Sequence, residues 1–180
     1  MVTKESFEKL MGIRWLEHLW PALSSNVMKG TYKQLKHQKM KGYNIFPKYK
    51  DTFNAFKYTP WDDVTVVILE QGTNPVHLPW SEQGVLMLND SLTTWLGRPG
   101  SHSYLWSMFT KHVLQELSKW KTGVVYVLGP NLQEFLPYIN KHTNHVIVLK
   151  EQDSLDSSCF SLVNDILVGI NGEDAKIKWL

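Results

Sequence analysis

Two short runs of mostly branched apolar residues, Val64–Leu69 and Gly84–Leu88, constrain this chain more than any other feature. Each is too short for a free-standing helix. Each is apolar at successive rather than alternate positions, which predicts a strand covered on both faces. Between them, Gly72-Thr73-Asn74-Pro75 is turn chemistry, because Gly and Asn tolerate unusual φ and Pro cannot donate to a ladder. In an α/β sheet, ligands bind in loops at the carboxyl ends of strands. The polar residues Gln71, Asn74, His77 and Asn89 are therefore expected to line any site.

The rest of the chain supplies partners for those strands. Phe7, Leu10, Met11, Trp15, Leu16 and Leu19 recur at helical spacing and predict one amphipathic helix that Pro21 stops or kinks. Gly97, Pro99 and Gly100 mark Ser91–Ser103 as a surface loop, and Leu105 to Trp120 repeats with helical period. A strand at Val124–Leu128, a helix at Leu132–Ile139, a strand at His145–Leu149, a polar acidic loop and a last helix at Phe160–Val168 follow. This alternation predicts an α/β fold, a three-layer αβα sandwich with a small, mostly parallel four-stranded sheet. Residues 1–180 are expected to form a single domain, since 43% hydrophobic content supports a core and no linker or repeat divides the chain.

The single cysteine, Cys159, excludes an internal disulfide framework and a four-cysteine metal centre. Together with a charged N-terminal stretch and no run of membrane-spanning length, it predicts a soluble cytoplasmic monomer without cofactor or metal. His142 and His145 span a helix-to-strand turn with no third ligand nearby, which argues against a metal pair. A net charge of +2 is too mild to imply nucleic-acid binding by itself. Its distribution is uneven: Lys29, Lys33, Lys36, Lys39, Lys41, Lys48, Lys50 and Lys57 face one acid, Asp51. Such a run reads first as a solvated helix face followed by a loop, and second as a phosphate-facing patch.

Gly42–Leu69, with Pro47, Asp51, Phe53-Asn54-Ala55-Phe56, Thr59-Pro60-Trp61 and Asp63-Val64, resembles the segment leading into the catalytic loop of the uracil-DNA glycosylase family. Gly84–Thr93 resembles its G-V-L-L-L-N-x-x-L-T, followed by Ser101-His102 and Trp106, and the ending Phe160-Ser161, Asn164 and Ile177–Leu180 also fits. The resemblance implies a uracil-DNA glycosylase-like fold. It also implies chemistry that flips a nucleotide out, places a water under the sugar and stabilises the departing base. The family does this with a G-Q-D-P-Y-H loop and an H-P-S-P-L-S loop, a stacking Phe, a base-reading Asn and a Leu that enters the duplex.

Most of those chemical positions differ here. With a two-residue insertion, Asn74-Pro75-Val76-His77 falls on D-P-Y-H, which puts Asn74 at the water-handling acid and Val76 at the thymine-excluding Tyr. Without the insertion, Gly72 takes the acid position. An amide can orient a water but cannot take its proton, although Asn-Pro also resembles the mismatch-directed branch of the wider superfamily. The stacking Phe and proline-rich wall have no counterpart, because Pro79-Trp80 leads almost directly into Gly84. Asn89 matches the base-reading Asn, and capping of local backbone is an equal alternative for it. In the second loop Glu151 replaces the leaving-group His, and Leu155, at the wedge position, stands between Asp153 and Asp156, whose charges oppose DNA phosphates.

Asn74 and Glu151 are thus expected to be non-functional catalytic positions, with Gln71, Val76, His77 and Asn89 in the base pocket and Trp80, Ser101, His102 and Leu155 as DNA or partner contacts. Glu70 reads as a rim charge bonded to backbone, or else as half of a carboxylate pair with Glu151. Two functions compete. One is a scaffold that has lost glycosylase chemistry and binds a protein, or DNA weakly and non-specifically, in replication, repair or viral modulation of a host cytoplasm. The other is a glycosylase of altered base specificity that uses Asn74 to place water.

Overall fold

The computed structural model describes residues 3–179. Helix α1 (Lys4–Met11) starts at a reciprocal cap: Thr3 Oγ1 accepts from the Ser6 N–H (3.2 Å) and Ser6 Oγ accepts from the Thr3 N–H (3.2 Å). The single N-terminal helix expected from periodicity is two, because Gly12 at φ 86° breaks the ladder before α2 (Ile13–Leu23). Phe7, Met11, Trp15, Leu16 and Leu19 are nevertheless buried on both sides of the break. Pro21 does not stop α2, since it falls in the last turn. Helix α3 (Asn26–Met40) carries Lys29, Lys33, Lys36 and Lys39 in solvent, so this part of the basic region is a solvated face.

The chain then makes β1 (Ile45–Phe46), α4 (Asn54–Tyr58), β2 (Val66–Glu70), α5 (Leu78–Ser81), β3 (Val85–Asn89), β4 (Thr94–Trp95) and the long α6 (Ser103–Trp120). After it come β5 (Val125–Leu128), β6 (His145–Val148) and α7 (Ser157–Asn171). The sheet is ordered β3-β2-β5-β6 and all four strands are parallel, as the apolar runs imply. Val67, Leu69, Leu86, Leu88, Tyr126 and Leu128 join the core shared with α1, α2, α4 and α6. Val66, Ile68, Val85, Met87, Val125 and Val127 face the other way, in a second core with Cys159, Val163 and Leu167 of α7.

Two further expectations are corrected. Ser91–Ser103 is no surface loop throughout: Ser91 to Thr94 are buried, and β4 pairs antiparallel with β1 through Ile45 opposite Trp95 and Phe46 opposite Thr94. The expected helix at Leu132–Ile139 is a tight 3₁₀ run, Gln133–Tyr138, with Pro137 inside it.

Gly84 joins α5 to β3 at φ 87°, and a Cβ there would lie 2.2 Å from the Asp63 carbonyl oxygen. Gly42 has φ 86° with open space around it. Gly84→Ala is therefore expected to cost at least ~2 kcal/mol in urea unfolding and Gly42→Ala only about 1 kcal/mol, the backbone strain alone. Equal losses at the two sites would show that the close approach at Gly84 does not matter.

Candidate functional site

The sheet register sets Glu70 of β2 opposite Asn89 of β3 at the carboxyl edge. From that edge the loop between β2 and α5 is fastened by three bonds. The Gly72 N–H donates to Asp90 Oδ1 (2.8 Å), the Asn74 N–H donates to Asn89 Oδ1 (3.2 Å), and Asn89 Nδ2 donates to the Asn74 carbonyl (3.0 Å). The Asn89 side chain thus acts as a peptide group, pairing with main chain at both its donor and its acceptor. Asp90, 6% exposed, also accepts from Ser103 Oγ (3.2 Å) in the first turn of α6. Burial pushes its carboxyl above the ordinary value, and the bonds from Gly72, Ser103 and Ser91 partly oppose that shift.

The fastened loop separates two cavities. The larger, about 550 Å³, lies between the loop and the segment from β1 to α4. Asn74, Val76 and Asn89 line it on one side, and Phe46, Lys48, Lys50 and Tyr58 on the other. Ala55, Met87 and Leu92, each at most 9% exposed, also contribute to its lining. The smaller, about 340 Å³, sits over the β2–β5 boundary, where the strand order reverses, and is lined by Glu70, Gln71, Gly129, Asp153 and Leu155. Burial raises the Glu70 carboxyl, offset in part by a hydrogen bond with the Asn74 side chain.

The expected site residues are therefore divided. Gln71 and Leu155 belong to the smaller cavity, away from Asn74, Val76 and Asn89. Glu151 is exposed and borders neither cavity, so it forms no carboxylate pair with Glu70 across either one. His77 stands behind the loop: its N–H donates to Met87 Sδ (3.1 Å) and its ring centroid is 4.5 Å from that of Trp80.

Trp80 is no free anchor, because its ring meets Phe160 and Trp179 edge-on at 5.2 Å in a cluster on the α7 side. His102 cannot touch DNA or a partner, since it is fully buried. Its Nδ1 is 2.8 Å from Thr93 Oγ1 and its Nε2 is 2.8 Å from Gln38 Oε1. Trp106 Nε1 donates to Thr93 Oγ1 and Trp95 Nε1 to Gln38 Oε1, so the ring must carry its proton on Nε2. Burial keeps its pKa low, which suits this neutral state. Ser101 Oγ accepts from the Trp95 N–H (2.8 Å) and so braces β4. Of the second-loop acids, Asp153 Oδ2 accepts from the Lys150 N–H (2.8 Å), while Asp156 caps α7 by accepting from the Ser158 and Cys159 N–H groups. They serve the loop's own backbone.

Chemically, the larger cavity offers apolar walls, amides and lysines. A nucleobase edge would compete with the Asn74 main chain for the Asn89 amide, and Glu70, whose carboxyl interacts with the Asn74 side chain, lines the other cavity. Sequence reading missed Asp90, whose one signal was an acid directly after an apolar strand run, and the cleft-facing Phe46 and Tyr58, while it named Lys48 and Lys50 only as part of one basic stretch.

A parallel four-stranded sheet with helices on both faces and a loop-walled cleft at its carboxyl edge defines a three-layer α/β protein with its candidate site at the switch end of the strands. The solved structure of mimivirus uracil-DNA glycosylase matches with a TM-score of 0.83 at 15% identity, covering 98% of this chain and 89% of that one. A variant of the same mimivirus protein, solved in complex with UGI, matches with a TM-score of 0.82 at 17% identity, over 99% of this chain and 91% of that one. No protein-family model matches the chain. Among curated proteins, the uracil-DNA glycosylase of Vibrio campbellii is 31% identical over 189 residues, 77% of this chain and 84% of that protein. That of Serratia proteamaculans is 32% identical over 182 residues, 73% and 80% of the two chains. The chain belongs to the uracil-DNA glycosylase family.

Asp90 gives the site a pH signature. Its folded pKa lies above the ordinary 3.8, so folding takes up a proton here, and this contribution to stability is full below 3.8 and lost as pH rises through the raised value. Asp90→Asn keeps an acceptor for the Gly72 N–H and removes the buried charge. The Tm of the variant minus that of wild type is expected to grow from pH 4 to pH 8; a difference constant across that range would show that Asp90 does not titrate differently in the folded state.

Proposed function

We propose that this chain is a uracil-DNA glycosylase-fold protein that has given up base excision and acts through binding at the former catalytic cleft. The observation that carries the reading is the Asn89–Asn74 pairing. The side chain at the family's base-reading position already pairs its Oδ1 and one Nδ2 hydrogen with the Asn74 main chain, so a uracil edge would have to compete with that pairing. Asn74 at the water-handling position cannot accept a proton, Val76 stands where the Tyr would exclude thymine, and Glu151 lies away from the cleft. General acid–base and electrostatic contributions each supply orders of magnitude in rate, so their joint loss removes activity rather than trimming it. The setting is replication, repair or viral modulation of a host. Protein is the main partner and DNA a weak one, and the UGI complex of the mimivirus neighbour supports the idea that this fold can take a protein ligand.

A second reading, an active glycosylase of altered specificity, is favoured by the names of the curated relatives and by Glu70. Its raised carboxyl beside Asn74 offers a proton acceptor that the family motif does not place there. The two readings separate in one assay. Oligonucleotides carrying uracil, mismatches or modified bases, single- and double-stranded, are incubated with the protein and cleaved at abasic sites. No product above background is expected. Robust turnover that disappears in Asn74→Ala or Glu70→Gln would overturn the first reading in favour of the second.

Weak DNA binding has its own signature. The lysines at the cleft attract phosphate while Glu151, Asp153 and Asp156 repel it, so affinity for a random duplex is expected to be low, blind to sequence and steeply reduced between 50 and 200 mM salt. Tight binding at physiological salt that survives Lys48→Ala with Lys50→Ala would contradict this.

A further inference from the structure

The cleft has an asymmetry that the loss of catalysis does not explain. Its interior is apolar and largely aliphatic, with Val76, Met87 and Leu92 set among Ala55 and Pro47. At its mouth, Phe46 and Tyr58 are 43% and 38% exposed and Leu78 is 46% exposed, so apolar surface meets water around the opening. Charge is confined to one rim. Lys48 and Lys50 line that side, and Lys57 lies over the Tyr58 ring at 5.7 Å. The opposing rim of Thr73, Asn74 and Pro75 is neutral. Asp51 is the one acid on the lining, and Asn54 Nδ2 donates to it at 3.4 Å.

We propose that this cleft is a docking groove for an acidic peptide segment that carries an apolar anchor side chain. The proposal rests on the binding role argued above and names the partner chemistry of the same site. The aliphatic interior takes the anchor, Phe46 and Tyr58 flank it, and Lys48 and Lys50 meet carboxylates placed beside it in the peptide. Nucleic acid fits less well. A phosphate chain needs a basic track that continues along its path and aromatic faces for successive bases, whereas here the basic rim is one-sided and the loop before α7, on the side of the smaller cavity, presents Glu151, Asp153 and Asp156. A short peptide can put its acids on one side and its anchor on the other.

The test is selection from a phage-displayed library of random 12-residue peptides on the full chain, with a pool of random single-stranded DNA selected in parallel. Peptides combining Asp or Glu with a Trp, Phe or Leu anchor are expected to be enriched. Their affinity should fall about tenfold or more when Lys48 and Lys50 are both changed to Glu, and by a similar factor in Phe46→Ala combined with Tyr58→Ala. Thermal melts check that the four exposed substitutions leave the fold intact. Enrichment without acids, binding indifferent to these variants, or no enrichment overturns the groove. DNA ligands that outcompete every peptide and are lost in the lysine variant overturn it in favour of a nucleic-acid groove. Uracil release is measured on the same preparation. A protein that releases uracil yet selects acidic peptides loses the non-catalytic reading and keeps the groove, and a silent one that selects none loses the groove alone.

Discussion

Three hydrogen bonds hold the loop after β2 against the end of β3, and the rest of the functional edge depends on them. A side-chain amide that pairs with main chain extends the sheet by one peptide unit without extending the strand. Asn89 does this to Asn74, and Asp90 adds a charged acceptor under Gly72, which sits buried at φ 100°. Each bond is worth about 1 kcal/mol net, more for the one to a carboxylate, so together they offset part of the ordering entropy of the loop between β2 and α5, which costs about 1–2 kcal/mol per residue. Fixing the loop makes it a wall, and the wall turns one carboxyl-edge crevice into two cavities with different linings.

Much of the scaffold was legible in the sequence because burial on both faces of a parallel sheet leaves a signal of its own: consecutive branched residues bounded by Gly, Pro and Asn. The pairing of β1 with β4 left no such signal, since two-residue strands have no periodicity to detect. The break at Gly12 was hidden because the apolar spacing continues across it. At the site, Asn89 was legible as an important position with two possible duties, and the structure uses it for the local one. Trp80 and His102 were misplaced for one shared reason. A loop's sequence does not say toward which layer a side chain turns, and here the partners are Trp179 and Phe160 for one, Gln38 and Thr93 for the other, all distant in the chain or on another element.

Charge follows the same logic. The lysine-rich stretch looked like a single feature, yet α3 spends its lysines on solvent while Lys48 and Lys50 reach the cleft. The acids of the loop before α7 looked like a barrier to DNA, and two of them are tied to backbone N–H groups. Their charge remains exposed all the same, so the electrostatic argument survives while the reason for the residues changes.

The division of the core into two faces bears on how the chain is made. Val66, Ile68, Val85, Met87, Val125 and Val127 acquire the helical part of their covering from α7 and the segment after it, with Trp80, Leu149 and Leu155 adding to it from earlier in the chain. During synthesis, β2, β3 and β5 all leave the ribosome before α7 exists, so a nascent chain that has already paired these strands carries an incompletely covered apolar sheet face until residue 157 onward emerges. The interval in which this protein is most exposed to aggregation, and most in need of a chaperone, therefore falls late in translation, when the cleft side of the molecule is already built.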